Sequence, residues 1–326
     1  MATLKDVARE SGLTVTTVSR VLNNRGYISD DARRKVDEAV KKLNYHPNEL
    51  ARSLQNKSSN TIGVIVPHIR HPYFSEMISN LENEASKRGY KILLCNSRSI
   101  DEKEKEHIDM CTSNHVAGII LFSEKVAVQD FGGLGIPVIT MERFLDGGTA
   151  AIECDNHQGG RLAAQKLIDC GCRNLLHVGS LNQDQPMPAD ARTLGFREVC
   201  SENGIPFLEV TTDETQYNNM SYIDMLEREL REHPEIDGLF ANSDLIAAQV
   251  LQVCQRLQIS VPEQLKVIGF DDIYVSSLTA PLLTTIHQPI REMAELAISL
   301  LNDAASGKLV AKRTLLPVYL VERGTT

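Results

Sequence analysis

The chain has 326 residues, 42% hydrophobic and 24% charged, which predicts an ordered protein of two or three domains and excludes wholesale disorder. No apolar run reaches the roughly 18 residues of a membrane span, and MATLKDVARE carries charges where a signal peptide needs an apolar stretch, so the cytosol is expected. The net charge of −9 hides an asymmetry: residues 1–60 hold 11 Lys and Arg against 7 Asp and Glu, a net of +4, leaving −13 on the rest. A polyanionic partner is therefore expected at one end only. Seven cysteines, an odd number placed mostly on apolar stretches, read as buried thiols in a reducing compartment.

Residues 1–45 predict three short helices. Thr3 can cap the first, with Asp6 completing a capping box and Gly12 ending it. Thr14 caps a second after a tight turn, running from Val15 to about Leu22. Val18, Val21 and Leu22 share one face of it, leaving Val15, Thr16, Ser19 and Arg20 outward. Ser29 or Asp30 caps a third, whose apolar stripe is Ala32, Val36, Ala39, Val40 and Leu43. Two helices joined by a tight turn, the second with a polar and basic outer face, form a helix-turn-helix. The segment LKDVARESGLTVTTVSRVLN resembles the DNA-binding head of the lactose-repressor (LacI/GalR) family of bacterial transcription regulators; the bland alternative is a three-helix packing module. The resemblance implies that the second helix enters the major groove and that Val15 and Thr16 read the operator. Val15 suits a thymine methyl and Thr16 a base edge or phosphate, while Arg20 suits guanine O6 and N7 or serves as a phosphate clamp. Thr3, Ser19, Asn23 and Tyr45 are expected as donors that position the DNA backbone.

Residues 46–60 form a hinge and linker. The run Tyr45-His46-Pro47-Asn48-Glu49-Leu50-Ala51-Arg52-Ser53-Leu54 is similar to the hinge helix of the family's ribose and sucrose regulators. So short a segment does not hold a helix alone in water. The resemblance implies that two copies fold together on the operator, with Ala51 allowing close backbone approach and Leu54 wedging into a minor-groove step. An ordinary linker is the alternative.

Residues 61–326 alternate apolar strand-like runs (61–67, 90–96, 117–122, 136–140, 174–180, 237–242, 265–270) with amphipathic stretches near 73–88, 101–113, 157–170, 190–203, 218–232 and 244–257. That alternation predicts an α/β body with doubly wound parallel sheets in two subdomains. The body resembles the family's periplasmic-binding-protein-like domain for effector binding and dimerisation. The resemblance implies one subdomain from 61–160 with 290–319, another from 161–288 with 320–326, and a ligand cleft between them at strand ends. The effector residues it implies are Tyr73 and Phe74 after the first strand, Arg192 three residues before Gly195-Phe196, Asn242, Asp271 in GFDD, and Gln288 at a crossover. Glu142 stands where most members have Asp, and His71 where many have Asn. Asp244 lines the cleft or caps its own helix; Asp155-Asn156 is a cap with a hinge contact, or a ligand group; Gln216-Tyr217 offers a stacking aromatic.

An enzyme is the rival from another class, but no strand is followed by GxGxxG, and GxxxxGK[ST], GxSxG and HExxH are lacking. FGGLG and the Gly pairs at 147–148 and 159–160 lie outside phosphate-loop contexts, and Cys170-Gly-Cys172 has no second pair. No catalytic residue, metal or cofactor is expected. A cytosolic sugar-binding protein would leave residues 1–56 unexplained. The expected protein is a homodimeric, allosteric repressor of carbohydrate-metabolism genes. Its expected partners are a pseudo-palindromic operator and a small sugar-type effector, with no membrane, and its location is the cytoplasm at the nucleoid. A sugar phosphate or a purine corepressor stays open, as does the sign of the response. Tetramerisation stays open as well, although no heptad tail precedes Thr326.

Overall fold

Capping residues set the helices of the N-terminal unit. In α1 (Leu4–Ser11) Thr3 accepts from the Asp6 amide at 3.3 Å while Asp6 accepts from the Thr3 amide at 2.9 Å, and Gly12 closes the helix at φ 67. Thr14 accepts from the Thr17 amide at 3.1 Å at the start of α2 (Val15–Leu22), and Ser29, not Asp30, caps α3 (Asp30–Leu43). Val7, Ala8, Val18, Val21, Val36 and Ala39 form the buried core, with Leu22, Leu43 and Tyr45 packed against it. The computed structural model describes residues 2–22, 26–45, 59–122, 131–145, 147–179 and 189–326, in two units divided at Ser59–Asn60. The hinge with Ala51 and Leu54, and also Asn23, lie outside the described residues.

The second unit begins with β1 (Thr61–Val66), α4 (Pro72–Lys87), β2 (Lys91–Asn96), α5 (Asp101–Ser113), β3 (Gly118–Leu121), β4 (Val138–Met141) and β5 (Ala150–Cys154). It continues with α6 (Asn156–Asp169), β6 (Leu175–Gly179), α7 (Asp190–Glu202), β7 (Phe207–Thr211), α8 (Glu214–Asn219), α9 (Ile223–Glu232), β8 (Gly238–Ala241) and α10 (Asp244–Leu257). Last come β9 (Lys266–Asp271), β10 (Thr284–His287), α11 (Ile290–Ala305), β11 (Arg313–Leu316) and β12 (Tyr319–Val321).

These strands build two six-stranded sheets, ordered β11-β5-β4-β3-β1-β2 and β12-β10-β9-β8-β6-β7, each the floor of one lobe. Fully apolar central strands such as β3 and β8 need cover on both faces, and helices supply it. The chain passes between lobes after β5, after β10, and again through Pro317-Val318. One strand departs from the all-parallel expectation. β12 begins where β10 ends, pairing Tyr319 with His287, and therefore runs antiparallel to it.

The single stretch expected at 218–232 is two helices. Asp213 and Gln216 form a capping box at the start of α8, and Met220 then turns left-handed at φ 53. The Gln249 side chain holds this break, donating to the Met220 carbonyl at 3.0 Å and accepting from the Tyr222 amide at 2.8 Å. All seven cysteines are free thiols, six of them buried.

Candidate ligand cleft and nucleic-acid face

Parallel strands deliver their C-terminal ends to one side of each sheet, and the two sets of ends converge where the lobes meet. β1 leads through His71 into α4, whose Pro72 at the first helical position presents Tyr73 and Phe74. Glu142 directly follows β4 and Asp271 ends β9; with Asp272 they are non-glycine residues held at φ 56, 111 and 57. Positive φ costs such residues on the order of 1–3 kcal/mol each, and strain of this kind concentrates where side-chain aim matters.

Arg192 of α7 is the centre of the cluster. Its Nε donates to Asn156 Oδ1 at 2.7 Å, its guanidinium also donates to the Asn242 carbonyl at 2.6 Å, and Asp271 stands 3.8 Å away. The guanidinium lies 3.4 Å over the Phe270 ring. Asn156 passes the chain on, donating to Glu142 Oε2 at 3.2 Å. Glu142 also accepts from the Cys154 amide at 3.2 Å and from Gln288 Nε2 at 3.0 Å. Gln288 Nε2 completes the link by donating to the Tyr73 hydroxyl at 3.2 Å. One polar chain thus runs from the second lobe through two crossover segments into the first.

Few of these groups meet water, and their acidities follow. Burial pushes the Asp271 carboxyl far above the carboxylate range, although Arg192 pulls it back, and withdrawal from water raises Glu142 against the same Arg192 pull. Burial drives His71 down to about 4, so that its ring is neutral at pH 7. Four buried atoms around the lobe boundary have no hydrogen-bond partner in the protein: His68 Nε2, His71 Nδ1, Thr193 Oγ1 and Gln288 Oε1. Unsatisfied polar atoms are rare in protein interiors, and a group of them marks a place where a polar ligand completes the bonding. Tyr217 reaches across from α8, its ring centroid 5.0 Å from His68 and 6.1 Å from His71.

The structure thus brings together Tyr73, Glu142, Arg192, Asp271, Gln288 and the carbonyl of Asn242, whose side chain turns instead to His177 at 3.3 Å. Phe74 stands in an aromatic wall with His71 and Phe122. Asp244 faces inward: it accepts from the Ile273 amide at 2.9 Å and the Thr285 hydroxyl at 2.5 Å, and Ser243 caps its helix. Asp155 caps α6 and Asn156 joins the cluster. Sequence reading left out Cys154, Thr193 and Phe270. It also left out the reason for two glycines: a Cβ on Gly160 would fall 1.9 Å from the Arg192 carbonyl oxygen, and one on Gly195 2.0 Å from that of His157. Among the described residues, Glu229, Glu232 and His233 bring potential metal-ligating atoms within 4.8 Å of one another, but Glu229 is already paired with Arg228 at 2.7 Å.

In the N-terminal unit α2 turns Val15, Thr16 and Arg20 outward while Val18 is fully buried. Thr3 is exposed but its amide and hydroxyl are engaged by Asp6. Ser19 is half-buried, and the Tyr45 ring packs on the helical core.

Residues 3–48 match the family model described as bacterial regulatory proteins, lacI family, and residues 164–326 match a periplasmic binding protein-like domain. The chain is 34% identical over 328 residues to the ribose operon repressor of Halalkalibacterium halodurans, covering 100% of this chain and 97% of the relative. A solved periplasmic binding protein/LacI transcriptional regulator from Alkaliphilus metalliredigens QYMF, complexed with D-xylulofuranose, is 33% identical. It aligns with a TM-score of 0.72 over 82% of this chain and 99% of its own. The lac repressor dimer bound to operator and the anti-inducer ONPF is 26% identical and aligns with a TM-score of 0.86 over 99% of this chain and 98% of its own. Among the described residues no helix is long and apolar enough to cross a membrane.

Proposed function

The chain belongs to the lacI family of bacterial regulatory proteins, and from that premise we propose that it represses carbohydrate-metabolism genes under the control of a sugar bound between its lobes. The observation that carries this reading is the polar chain Asp271–Arg192–Asn156–Glu142–Gln288–Tyr73, which links the lobes and is surrounded by unpaired polar atoms. Hydroxyl groups both donate and accept, and so match a site that offers a guanidinium, two carboxyl groups, an amide carbonyl and the neutral His71 ring. A phosphate matches poorly, because one guanidinium with two of its nitrogens engaged faces two acids. The sugar complex of the Alkaliphilus regulator and the operator complex of the lac repressor dimer support the two halves of the reading.

The acting species is a homodimer in the cytoplasm, working on the chromosome. Val15, Thr16 and Arg20 of each copy read base edges in a half-site. Thr3, Ser19, Asn23 and Tyr45 contact the backbone, and Ala51 and Leu54 act in the hinge. The effector favours one angle between the lobes and thereby one spacing of the paired hinges. Catalysis has no part in this reading.

The test is a thermal-shift panel on the full chain with D-ribose, D-xylulose, D-fructose, sucrose, ribose 5-phosphate and guanine. A specific ligand at 100 times its Kd adds about 2.7 kcal/mol to stability. The expected result is a shift with a neutral sugar that disappears in Asp271→Ala. Shifts from ribose 5-phosphate or guanine alone would overturn the sugar assignment. Operator sites selected from a random duplex library should bind wild type but not Arg20→Ala, which keeps its sugar response.

A further inference from the structure

The sheet of the first lobe ends at β2, and the helix that follows it, α5, crosses back over β1 to reach β3. This helix has few anchors, since Glu104, Ile108 and Cys111 are its buried residues. A glycine decides how deep Cys111 sits. A Cβ on Gly63 of β1 would fall 2.5 Å from Cys111 Sγ, so the bare backbone at that position lets the thiol down onto the sheet. The register of β1 against β2 sets Leu93 beside Gly63 and Cys95 beside Ile65, two residues further along the same face. Cys95 therefore joins Ile65, Ile108, Cys111 and Ile119 in one buried cluster. The two thiols meet there in a hydrogen bond.

The two sulfurs are not equivalent. Cys95 Sγ donates to the Leu93 carbonyl at 3.9 Å, which leaves its lone pairs to Cys111. Donation from the Cys111 S–H favours the Cys95 thiolate and draws the Cys95 pKa below the usual thiol value, against the effect of burial. Cys111, held as the donor and buried, is pushed far above that value. Cys95 is thus the nucleophile of the pair, and Cys111 stands where it can attack Cys95 in turn.

We propose that Cys95 and Cys111 form an oxidation site, a dithiol that a hydroperoxide closes reversibly to a disulfide. The Cys95 thiolate attacks one peroxide oxygen; an S–O bond forms as the O–O bond breaks, and the departing hydroxide takes the Cys111 proton to become water. The Cys111 thiolate then attacks the Cys95 sulfur. An S–S bond forms, the S–O bond breaks, and hydroxide leaves with the proton that Cys95 first gave up. Two electrons pass from the thiols to the peroxide, and two waters result. A small oxidant gains entry because a strand with one neighbour and a helix with three buried residues open locally, without the lobe unfolding. Closure then draws the sulfurs from hydrogen-bond contact to about 2 Å. The bond ties α5 to the edge strand and closes the loop from Asn96 to Met110, which restricts the unfolded chain.

The experiment uses the full chain carrying Cys170→Ser, which removes the half-exposed thiol and leaves six. Reduced protein is treated with hydrogen peroxide, quenched with catalase and unfolded in guanidine, and its free thiols are counted with Ellman's reagent. The expected result is a fall from six thiols to four, restored by dithiothreitol, with tryptic peptide 92–98 linked to 106–125 and Tm shifted upward. In the same background Cys111→Ala should leave Cys95 as a sulfenic acid that dimedone traps, and Cys95→Ala should leave Cys111 unmodified. Circular dichroism checks that both variants fold, and the peptide linkage in the parent chain needs neither. Six thiols after treatment, a linkage joining any other pair of cysteines, dimedone on Cys111 rather than Cys95, or a linkage that forms only in the unfolded chain would overturn the proposal.

Discussion

Arg192 holds its place through neutral oxygens more than through its acid partner: 2.7 Å to Asn156 and 2.6 Å to the Asn242 carbonyl, against 3.8 Å to Asp271. Removing it leaves Asp271 and Glu142 buried without a cation. Arg192→Ala is therefore expected to lose about 3–5 kcal/mol of stability as well as its effector response, read by urea melts beside sugar titration. His177 gives a pH prediction. Burial lowers its pKa from 6.5 to about 4, so the unfolded chain takes up a proton more readily than the folded one. Its contribution is complete above about pH 6.5 and is lost as the pH falls toward 4, a difference on the order of 3 kcal/mol. His177→Gln should flatten that part of the stability profile, and an unchanged acid limb in thermal melts would remove His177 as its source. The residue scale also marks a limit of sequence reading. Asn156 and Asp244 both precede or open helices and both have side chains suited to capping; their chemistry alone does not separate the roles. Asn156 joins the cluster because Arg192 reaches it from 36 residues away, and Asp244 turns inward because Thr285 meets it from 41. Such distant partners leave no local pattern.

At the scale of elements, helices α6 and α7 approach so closely that backbone meets backbone at Gly160 and Gly195. Gly160→Ala drives a methyl into the Arg192 carbonyl, with no flexible side chain to yield. Overpacking of this kind typically costs about 1–3 kcal/mol or more. Because the displaced residue is Arg192, sugar affinity should fall further in Gly160→Ala than in a neutral surface variant of α6, such as Gln165→Ala. The sequence shows Gly160 only as half of a Gly pair outside any phosphate-loop context and Gly195 only as the neighbour of Phe196; their purpose appears once the two helices are packed. Most central strands are legible as continuous apolar runs, but β5 (AAIEC) and β10 (TTIH), short, interior and interrupted by polar residues, escape that reading together with the more exposed β7, β11 and β12. Helix α11 escaped despite a clear signal: Ile290, Met293, Ala294, Ala297, Ile298 and Leu301 recur at helical spacing and are all buried.

Over the whole molecule the charge division sets how binding answers to salt. A head carrying +4 approaches DNA while a body carrying −13 is repelled by it, so attraction rests on a few cations near the phosphates. Operator affinity measured by fluorescence anisotropy should fall steeply, by roughly 10³–10⁵ between 50 and 200 mM salt if a dimer makes 6–10 phosphate contacts. Sugar binding should barely move over the same range, since its cluster is buried. The route of the chain through the lobes carries a further consequence, for synthesis. The first lobe receives β1 to β5 by residue 154, yet α11 and β11 arrive only with residues 290–316, after almost all of the second lobe. At ordinary elongation rates that interval lasts on the order of ten seconds. Until then the nascent first lobe has an uncovered apolar sheet face and an unpaired β5 edge, whereas the second lacks only its short β12. During that interval the later lobe has five of its six strands in hand while the earlier one still waits for α11 and β11.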